Sequence, residues 1–190
     1  MARKKRILLG VTGSIAAFKA AALASKLVQA DCQVRVAMTP EAVKFVTPLT
    51  FQSLTGERVY LDMFDEAGAA EWEIEHVSLA EWADLVLVCP ATANLISKAA
   101  VGLADDLLSA TLLTTRKPVV FVPAMNSGMW NNPILQARVA ELKRHGHAFL
   151  GPAAGRLACG TSGTGRMVEV EAVLKFVLQM KTHQNREKKC

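Results

Sequence analysis

The sequence predicts a three-layer α/β fold, in which helices cover both faces of a mostly parallel β-sheet. Apolar runs rich in β-branched residues recur along the chain, and they alternate with stretches rich in alanine and leucine. A strand that is buried on both faces produces an unbroken apolar run, and two parallel strands need a long connection, usually a helix. The alternation therefore favours a parallel sheet with connecting helices.

The elements follow one another in a regular order. Strands are predicted at residues 6–11, 34–38, 85–89 and 119–122, with a weaker one at 147–150. Helical patterns occupy residues 15–29, 94–114 and 168–180, and shorter helices begin after His76 and near Asn132-Pro133. Residues 62–75 are acidic and predict a surface loop. Residues 151–165 contain five glycines and predict a long flexible loop of the kind that often covers a site.

Length and composition indicate one domain. With 190 residues, 51% of them hydrophobic, the chain can bury a core without disulfides or metal. We expect a single domain over residues 1–180 and a charged, disordered tail over 181–190. No apolar run approaches the roughly 20 residues of a membrane span, and the basic N-terminus lacks the features of a secretory signal. The four irregularly spaced cysteines fit neither a zinc site nor a disulfide framework, so a reducing cytoplasm is the expected location.

The net charge of +5 does not indicate nucleic-acid binding. The positive charge is concentrated in residues 3–6 and 181–189, and the residues between them carry a net charge of about −2. Basic ends on a slightly acidic body are typical of solubilising tails. We therefore expect no nucleic-acid partner.

An octapeptide, residues 123–130 (PAMNSGMW), directly follows the predicted strand at 119–122. Open parallel sheets bind ligands in the crevice beyond the carboxyl ends of their strands, so this segment is placed to meet a ligand. The amide of Asn126, set among thioethers and an indole, suits a planar aromatic cofactor and a small polar substrate. The alternative is structural: Asn126 caps the helix near Asn132-Pro133, while Met129 and Trp130 fill the core.

The first strand ends in a turn of small residues, at 10–17, that includes Gly13, Ser14 and Ile15. Backbone amides at such a turn can approach a phosphate, although a plain tight turn would look the same. The pattern matches neither the dinucleotide glycine fingerprint nor a P-loop.

Polar residues also follow the second and third strands. Thr39 precedes Pro40 and is either a helix N-cap or a phosphate ligand, and the missing acidic residue favours a mononucleotide such as FMN over NAD. Thr92 and Asn94 either cap the next helix or bind the edge of a heterocycle.

Two residues are candidates for proton transfer. A lone histidine such as His76 is usually a surface or capping residue, but its pKa range suits a proton carrier if it faces a pocket. Cys159 lies in the glycine-rich segment, where Arg156 and Arg166 could lower its pKa or bind an anionic substrate. Cys89, inside an apolar strand, is expected to be inert packing.

The chain closely resembles the family of homo-oligomeric flavin-containing cysteine decarboxylases. Three motifs in this order carry the resemblance: His76, residues 123–130 and residues 158–167 (ACGTSGTGRM). The resemblance covers residues 5–180 and implies a Rossmann-like or flavodoxin-like sheet. Lantibiotic peptide decarboxylases share the histidine and asparagine but lack this cysteine pattern, and flavin prenyltransferases lack the octapeptide. Thr161 stands where many members carry an acidic residue, which affects the expected closure of the segment.

The resemblance implies FMN-dependent decarboxylation of 4'-phosphopantothenoylcysteine to 4'-phosphopantetheine in coenzyme A biosynthesis. The implied steps are flavin oxidation to a thioaldehyde, loss of CO2 and reduction of the resulting enethiol. By resemblance, His76 is the acid/base, Asn126 binds the substrate carboxylate, and Cys159 donates a proton in the second reduction. Arg156, Ala158 and Met167 are implied to close the glycine-rich segment over the substrate, like a clamp. The implied FMN ligands are Gly13, Ser14, Ile15, Thr39, Thr92, Ala93, Asn94 and Ala124.

The resemblance also implies a homo-oligomer, either a trimer or a dodecamer built from trimers, with FMN between neighbouring subunits. Many bacterial members are fused to a synthetase that joins cysteine to phosphopantothenate, so we expect either a stand-alone enzyme with a separate ligase or part of such a fusion. Two alternatives remain: a decarboxylase of a peptide C-terminal cysteine, and a non-catalytic FMN-binding regulatory subunit. The presence of His76, Asn126 and Cys159 argues against the second.

Overall fold

The computed structural model describes residues 3–63 and 74–180. The main sheet consists of β1 (Arg6–Val11), β2 (Gln33–Met38), β3 (Val59–Tyr60), β4 (Leu85–Ala91), β5 (Val119–Pro123) and β6 (Ala148–Phe149). The strand order is β3-β2-β1-β4-β5-β6, and every neighbouring pair is parallel. This is the Rossmann order, in which the direction of chain progression reverses between β1 and β4. The predicted parallel sheet is confirmed.

Helices form a layer on each face of this sheet. They are α1 (Ala17–Gln29), α2 (Pro48–Thr55), α3 (Glu75–Trp82), α4 (Ala93–Val101), α5 (Leu107–Thr114), α6 (Ser127–Trp130), α7 (Pro133–Arg144) and α8 (Val170–Gln179). The core on one face takes its helical side chains from α1, α2 and α8, and the core on the other face takes them from α3, α4, α5 and α7. The predicted three-layer architecture is therefore confirmed.

Burial on both faces explains the apolar runs of the sequence. Ile7 and Leu9 of β1 enter the core beneath α1, whereas Leu8 between them enters the opposite core. All seven residues of β4, in the middle of the sheet, are buried. Such strands must be apolar at every position, because neither face of the sheet is in contact with water.

The predicted helix at residues 94–114 is two helices. Gly102, with φ of +71°, ends α4 in the left-handed conformation, which glycine adopts without a steric penalty. Asp106 then begins α5 with a capping box, in which its carboxylate accepts from the Ser109 amide and the Ser109 hydroxyl accepts from the Asp106 amide. The helical composition of the segment concealed these stop and start signals.

The prediction of a long flexible loop at 151–165 is wrong. The segment contains an antiparallel hairpin of β7 (Ala153–Arg156) and β8 (Ser162–Arg166). Its glycines allow close packing: a Cβ on Gly165 would lie 2.3 Å from the Met125 carbonyl oxygen, and one on Gly163 would lie 2.9 Å from Ser127 Cβ. The Met125 amide donates to the Gly165 carbonyl at 2.9 Å, so the hairpin is anchored on the octapeptide.

The remaining predictions differ in small ways. The two-residue strand β3 was not predicted, because two residues are too short to show a period. The predicted acidic loop lies mostly, and the predicted tail lies wholly, outside the described residues. Among the described residues, no helix is both long enough and apolar enough to cross a membrane.

Candidate functional site

A cavity of about 620 Å³ opens at the carboxyl edge of the sheet, where β1, β2, β4 and β5 end. It lies at the switch point between β1 and β4, the usual ligand site of this strand order. Its lining includes thirteen of the fourteen predicted site residues, all except His76. These are Gly13, Ser14, Ile15, Thr39, Thr92, Ala93, Asn94, Ala124, Asn126, Arg156, Ala158, Cys159 and Met167.

Thr12, which sequence reasoning missed, joins the carboxyl ends of β1 and β4. Its hydroxyl donates to the Pro90 carbonyl at 2.7 Å and accepts from the Thr92 amide at 3.1 Å. The side chain is buried, so this bond pair satisfies a hydroxyl that would otherwise be costly to bury. The only signal in the sequence was a threonine at the end of an apolar strand.

The glycine of the first turn is required by close packing. A Cβ on Gly13 would lie 2.3 Å from the Cβ of Glu41, which follows β2 and also lines the cavity. The turn after β1 and the segment after β2 are therefore packed directly against each other. A larger residue at position 13 would push the two apart and change the floor of the cavity.

Thr39 is not the helix cap that the sequence allowed. The short 3₁₀ helix that follows begins at Ala42 and has no side-chain cap. Within the described part of the chain, the Thr39 hydroxyl oxygen is buried and has no hydrogen-bond partner. An unpaired buried hydroxyl on the cavity wall is suited to a ligand that brings its own acceptor.

Thr92 is the N-cap of α4, one of the two roles expected for it, because its hydroxyl accepts from the Leu95 amide at 3.4 Å. Asn94 does not cap this helix; it lies in the first turn, on the cavity wall. Both residues face the cavity, so for Thr92 the capping role and the ligand-facing position occur together.

Asn126 is held in one orientation by the backbone. Its Oδ1 accepts from the Gly128 amide at 2.7 Å and caps α6, so that Nδ2 is directed to Cys159 Sγ at 3.5 Å. The predicted cap at Asn132-Pro133 is made by Asn132 itself, whose Oδ1 accepts from the Ile134 amide. Met129 is 50% exposed and lines the cavity, so it does not fill the core. Trp130 is partly buried and packs against the core.

Cys159 lies in the hairpin connection, with its Sγ 3.1 Å from Thr161 Oγ1. Hydrogen bonds from Thr161, and to a smaller extent from Asn126, lower the pKa of this thiol below its usual range. Arg156 and Arg166 were expected either to lower this pKa or to bind an anionic substrate; hydrogen bonds, not the arginines, lower the pKa. The exposed thiol is therefore the more acidic cysteine, whereas burial strongly raises the pKa of Cys89.

Lys19, a cationic residue that sequence reasoning missed, also lines the cavity. Lys19 and Arg166 both face it, and both pair with Glu169, Lys19 at 3.2 Å. The hydrogen bond from Lys19 is the main cause of a lowered Glu169 pKa. A lysine in the first turn of a helix is unfavourable to the helix dipole, and that was the available signal.

His76 does not line the cavity formed by this chain. It is half-buried in the first turn of α3, one residue after Glu75, which is buried and pairs with Arg58. The acid/base role of His76 stays a prediction.

Comparison with known proteins identifies the family. Residues 1–182 match the flavoprotein family. The chain belongs to this family. The predicted resemblance is confirmed, and with it the expectation of a flavin cofactor.

Individual relatives of this flavoprotein agree with that assignment. The coenzyme A biosynthesis bifunctional protein CoaBC of Bacillus subtilis (strain 168) is 47% identical over 176 residues, which are 93% of this chain and 43% of that protein. The chain thus spans less than half the length of this curated relative.

Two solved structures share the fold over almost their whole length. A cysteine-to-serine variant of PPC decarboxylase, complexed with pantothenoylaminoethenethiol, superposes with a TM-score of 0.83 at 31% identity, covering 93% of this chain and 97% of that one. The FMN-dependent cysteine decarboxylase SpaF superposes with a TM-score of 0.76 at 32% identity, covering 92% and 96%.

The cavity of the flavoprotein fits FMN on its own geometry. The buried Thr39 hydroxyl provides an unused hydrogen-bond donor for a phosphate, and the tight Gly13 turn lets the backbone approach it closely. The cavity volume of about 620 Å³ is within the range of cofactor pockets. Within residues 3–63 and 74–180, no cluster of three or more His, Cys, Asp or Glu side chains is arranged to hold a metal ion.

Proposed function

We propose that this flavoprotein catalyses the FMN-dependent decarboxylation of 4'-phosphopantothenoylcysteine to 4'-phosphopantetheine, a step of coenzyme A biosynthesis. One observation carries the proposal: an oriented amide, Asn126, and an acidic thiol, Cys159, lie 3.5 Å apart in a cavity suited to FMN. The identity of 47% with a coenzyme A biosynthesis protein and the likeness to PPC decarboxylase support it.

FMN, when bound, supplies the oxidation and later reduction that a cysteine carboxylate requires, because that carboxylate lacks an electron sink of its own. Thr39 would hold its phosphate together with the turn at Gly13, Ser14 and Ile15. The ring system of FMN would contact the cavity-lining residues that follow β4 and β5. These are Thr92, Ala93, Asn94 and Ala124.

Asn126 would bind the substrate carboxylate through Nδ2. Its Oδ1 is engaged by the Gly128 amide and one Nδ2 hydrogen is directed to Cys159 Sγ, so the second Nδ2 hydrogen is the one available to the carboxylate. A neutral donor orients the carboxylate without the strong ion pair that would hold its negative charge in place as CO2 leaves. The amide therefore favours departure of CO2 more than a lysine or arginine would.

Cys159 would donate the proton needed to complete the reduced product. Its lowered pKa makes it a better acid than an ordinary thiol, and its exposed position allows the proton to be replaced from water. Arg156, Ala158 and Met167 line the same cavity from the hairpin and would close it over the substrate. A reducing cytoplasm suits this role, because Cys159 must remain a free thiol.

His76 would serve as acid/base in the cavity of a neighbouring copy, which requires a homo-oligomer, either a trimer or a dodecamer. Ile15, Phe18 and Met129 support this, because they line the cavity yet are 57%, 60% and 50% exposed in the single chain. A second chain would cover these apolar side chains. Co-expression of His76→Asn with Asn126→Asp tests it: shared sites restore activity, whereas sites within one chain leave the mixture inactive.

A phosphopantothenate–cysteine ligase would be the functional partner. It would produce the cysteine amide that this site consumes. The bifunctional CoaBC relative, of which this chain covers 43%, supports that link.

The substrate is tested with the FMN-loaded protein and mass spectrometry. We expect loss of one CO2 from 4'-phosphopantothenoylcysteine and no loss from a peptide that ends in cysteine. Decarboxylation of the peptide alone would favour a peptide decarboxylase. A protein that retains FMN and decarboxylates neither compound would be a regulatory subunit.

A further inference from the structure

Thr161 lies beside the sulfur of Cys159, and nothing in the proposed mechanism yet uses it. Its Oγ1 is 3.1 Å from Cys159 Sγ, and Nδ2 of Asn126, in the octapeptide, is 3.5 Å from the same sulfur. Two groups from different segments therefore converge on one thiol.

Both groups are held by the backbone. The Leu157 amide donates to the Thr161 carbonyl at 2.8 Å, and the Gly160 amide donates to the Leu157 carbonyl at 3.0 Å. These bonds close a turn in which Cys159 and Thr161 lie on the same side. Asn126 is fixed in turn by the Gly128 amide, so the arrangement does not depend on long, mobile side chains.

The protonation state of the sulfur decides what these groups can do. A thiol can donate or accept a hydrogen bond, but a thiolate can only accept. The Thr161 hydroxyl and the Asn126 amide can both donate, so both stabilise the thiolate. A carboxylate at position 161 would have the opposite effect, because it cannot donate and it repels a second negative charge.

We propose that Thr161 is a positioning residue whose hydroxyl, together with the Asn126 amide, stabilises the Cys159 thiolate and so makes Cys159 an effective proton donor. This inference rests on the proposed function for the use of that proton, but the hydrogen bond itself does not. The proton passes from Cys159 to one carbon of the enethiol double bond. FMN, when bound, would supply the hydride equivalent for the other carbon, and water would reprotonate the Cys159 thiolate.

Alkylation of Cys159 by iodoacetamide measures this property without substrate. The rate is followed over a range of pH in the FMN-loaded protein, and trypsin then releases residues 157–166, which contain Cys159 and no other cysteine. This peptide separates its modification from that of Cys32, Cys89 and Cys190. Native protein, Thr161→Val, Thr161→Ala and Thr161→Ser are compared, with Ser162→Ala as the control, because Ser162 is also exposed in the hairpin.

We expect Thr161→Val and Thr161→Ala to react about threefold more slowly near neutral pH, because less thiolate is present. At high pH their rates should equal or exceed that of the native protein, since a less stabilised thiolate is a better nucleophile. Thr161→Ser and Ser162→Ala should retain the native profile, and Thr161→Asp should shift its profile further to alkaline pH.

A native profile in both variants without the hydroxyl would overturn the inference, and so would an equal shift in Thr161→Ser. These outcomes are independent of the proposed reaction. A shifted profile in a protein that releases no CO2 would support the hydrogen bond and reject the reaction. An unshifted profile in the variants of a protein that does release CO2 would support the reaction and reject the hydrogen bond.

Discussion

Asn126→Asp is expected to retain FMN and to lose decarboxylation by at least about a hundredfold in kcat/KM. Aspartate is nearly the same shape, and its carboxylate can still accept from the Gly128 amide, so the cap of α6 is preserved. The variant loses the Nδ2 donor and places a negative charge where the substrate carboxylate should bind. Flavin absorbance and steady-state CO2 release, measured on the same preparation, separate the two effects.

Asn132→Asp is the matched control for this experiment. Asn132 also caps a helix, through an Oδ1 that accepts from the Ile134 amide at 2.9 Å, but it is not part of the cavity lining. The same chemical change there should leave turnover within about twofold of native, because it removes no contact to substrate. Native turnover in Asn126→Asp would refute the carboxylate role, and a comparable loss in Asn132→Asp would show that the effect is not specific to the cavity.

In the first turnover, Cys159→Ser is expected to release CO2 at close to the native rate while the unsaturated enethiol accumulates; later turnovers depend on dissolved oxygen to reoxidise the reduced FMN. The serine hydroxyl fits the space of the thiol and can still accept from Thr161 and Asn126, but it is a far weaker acid. Formation of the saturated product should therefore slow by at least about a hundredfold. Mass spectrometry distinguishes the two compounds, because the enethiol lacks two hydrogen atoms.

Cys190→Ser, at the last residue of the chain, is the control for this substitution and should give the native product ratio. Equal loss of CO2 release and of saturated product in Cys159→Ser would mean that Cys159 acts before decarboxylation. Normal product from Cys159→Ser would reduce the residue to a structural role. In either case the proposed order of proton transfer would have to be abandoned.

The strands and most of the residues that line the cavity were predictable for related physical reasons. β1 and β4 are buried on both faces, so their sequences had to be apolar throughout and were visible as runs. Ligand residues collect at the carboxyl ends of such strands, which is why the segments after β1, β2, β4 and β5 all line one cavity. The helix at residues 94–114 was less predictable, because the break at Gly102 lies within a composition that favours helix on both sides.

The hairpin of β7 and β8, in contrast, could not be predicted from the sequence. Its glycines indicated flexibility when taken alone, but they are needed because β8 packs directly on the octapeptide backbone, with Gly165 against the Met125 carbonyl. That packing partner is about forty residues away in sequence. Lys19 and Glu169 were missed for the same reason, since their ion pair joins α1 to the segment before α8.

The sequence by itself determined the layered α/β fold, the strand ends that line the cavity, and the motifs that place the chain among flavoproteins. Local periodicity and residue chemistry carry that information, because they depend on neighbours along the chain. Only the tertiary structure decided which groups touch Cys159 and that Thr39 has an unused buried hydroxyl. It also decided that His76 lies outside its own chain's cavity. These properties depend on the distance between segments far apart in sequence, which no single stretch of sequence specifies.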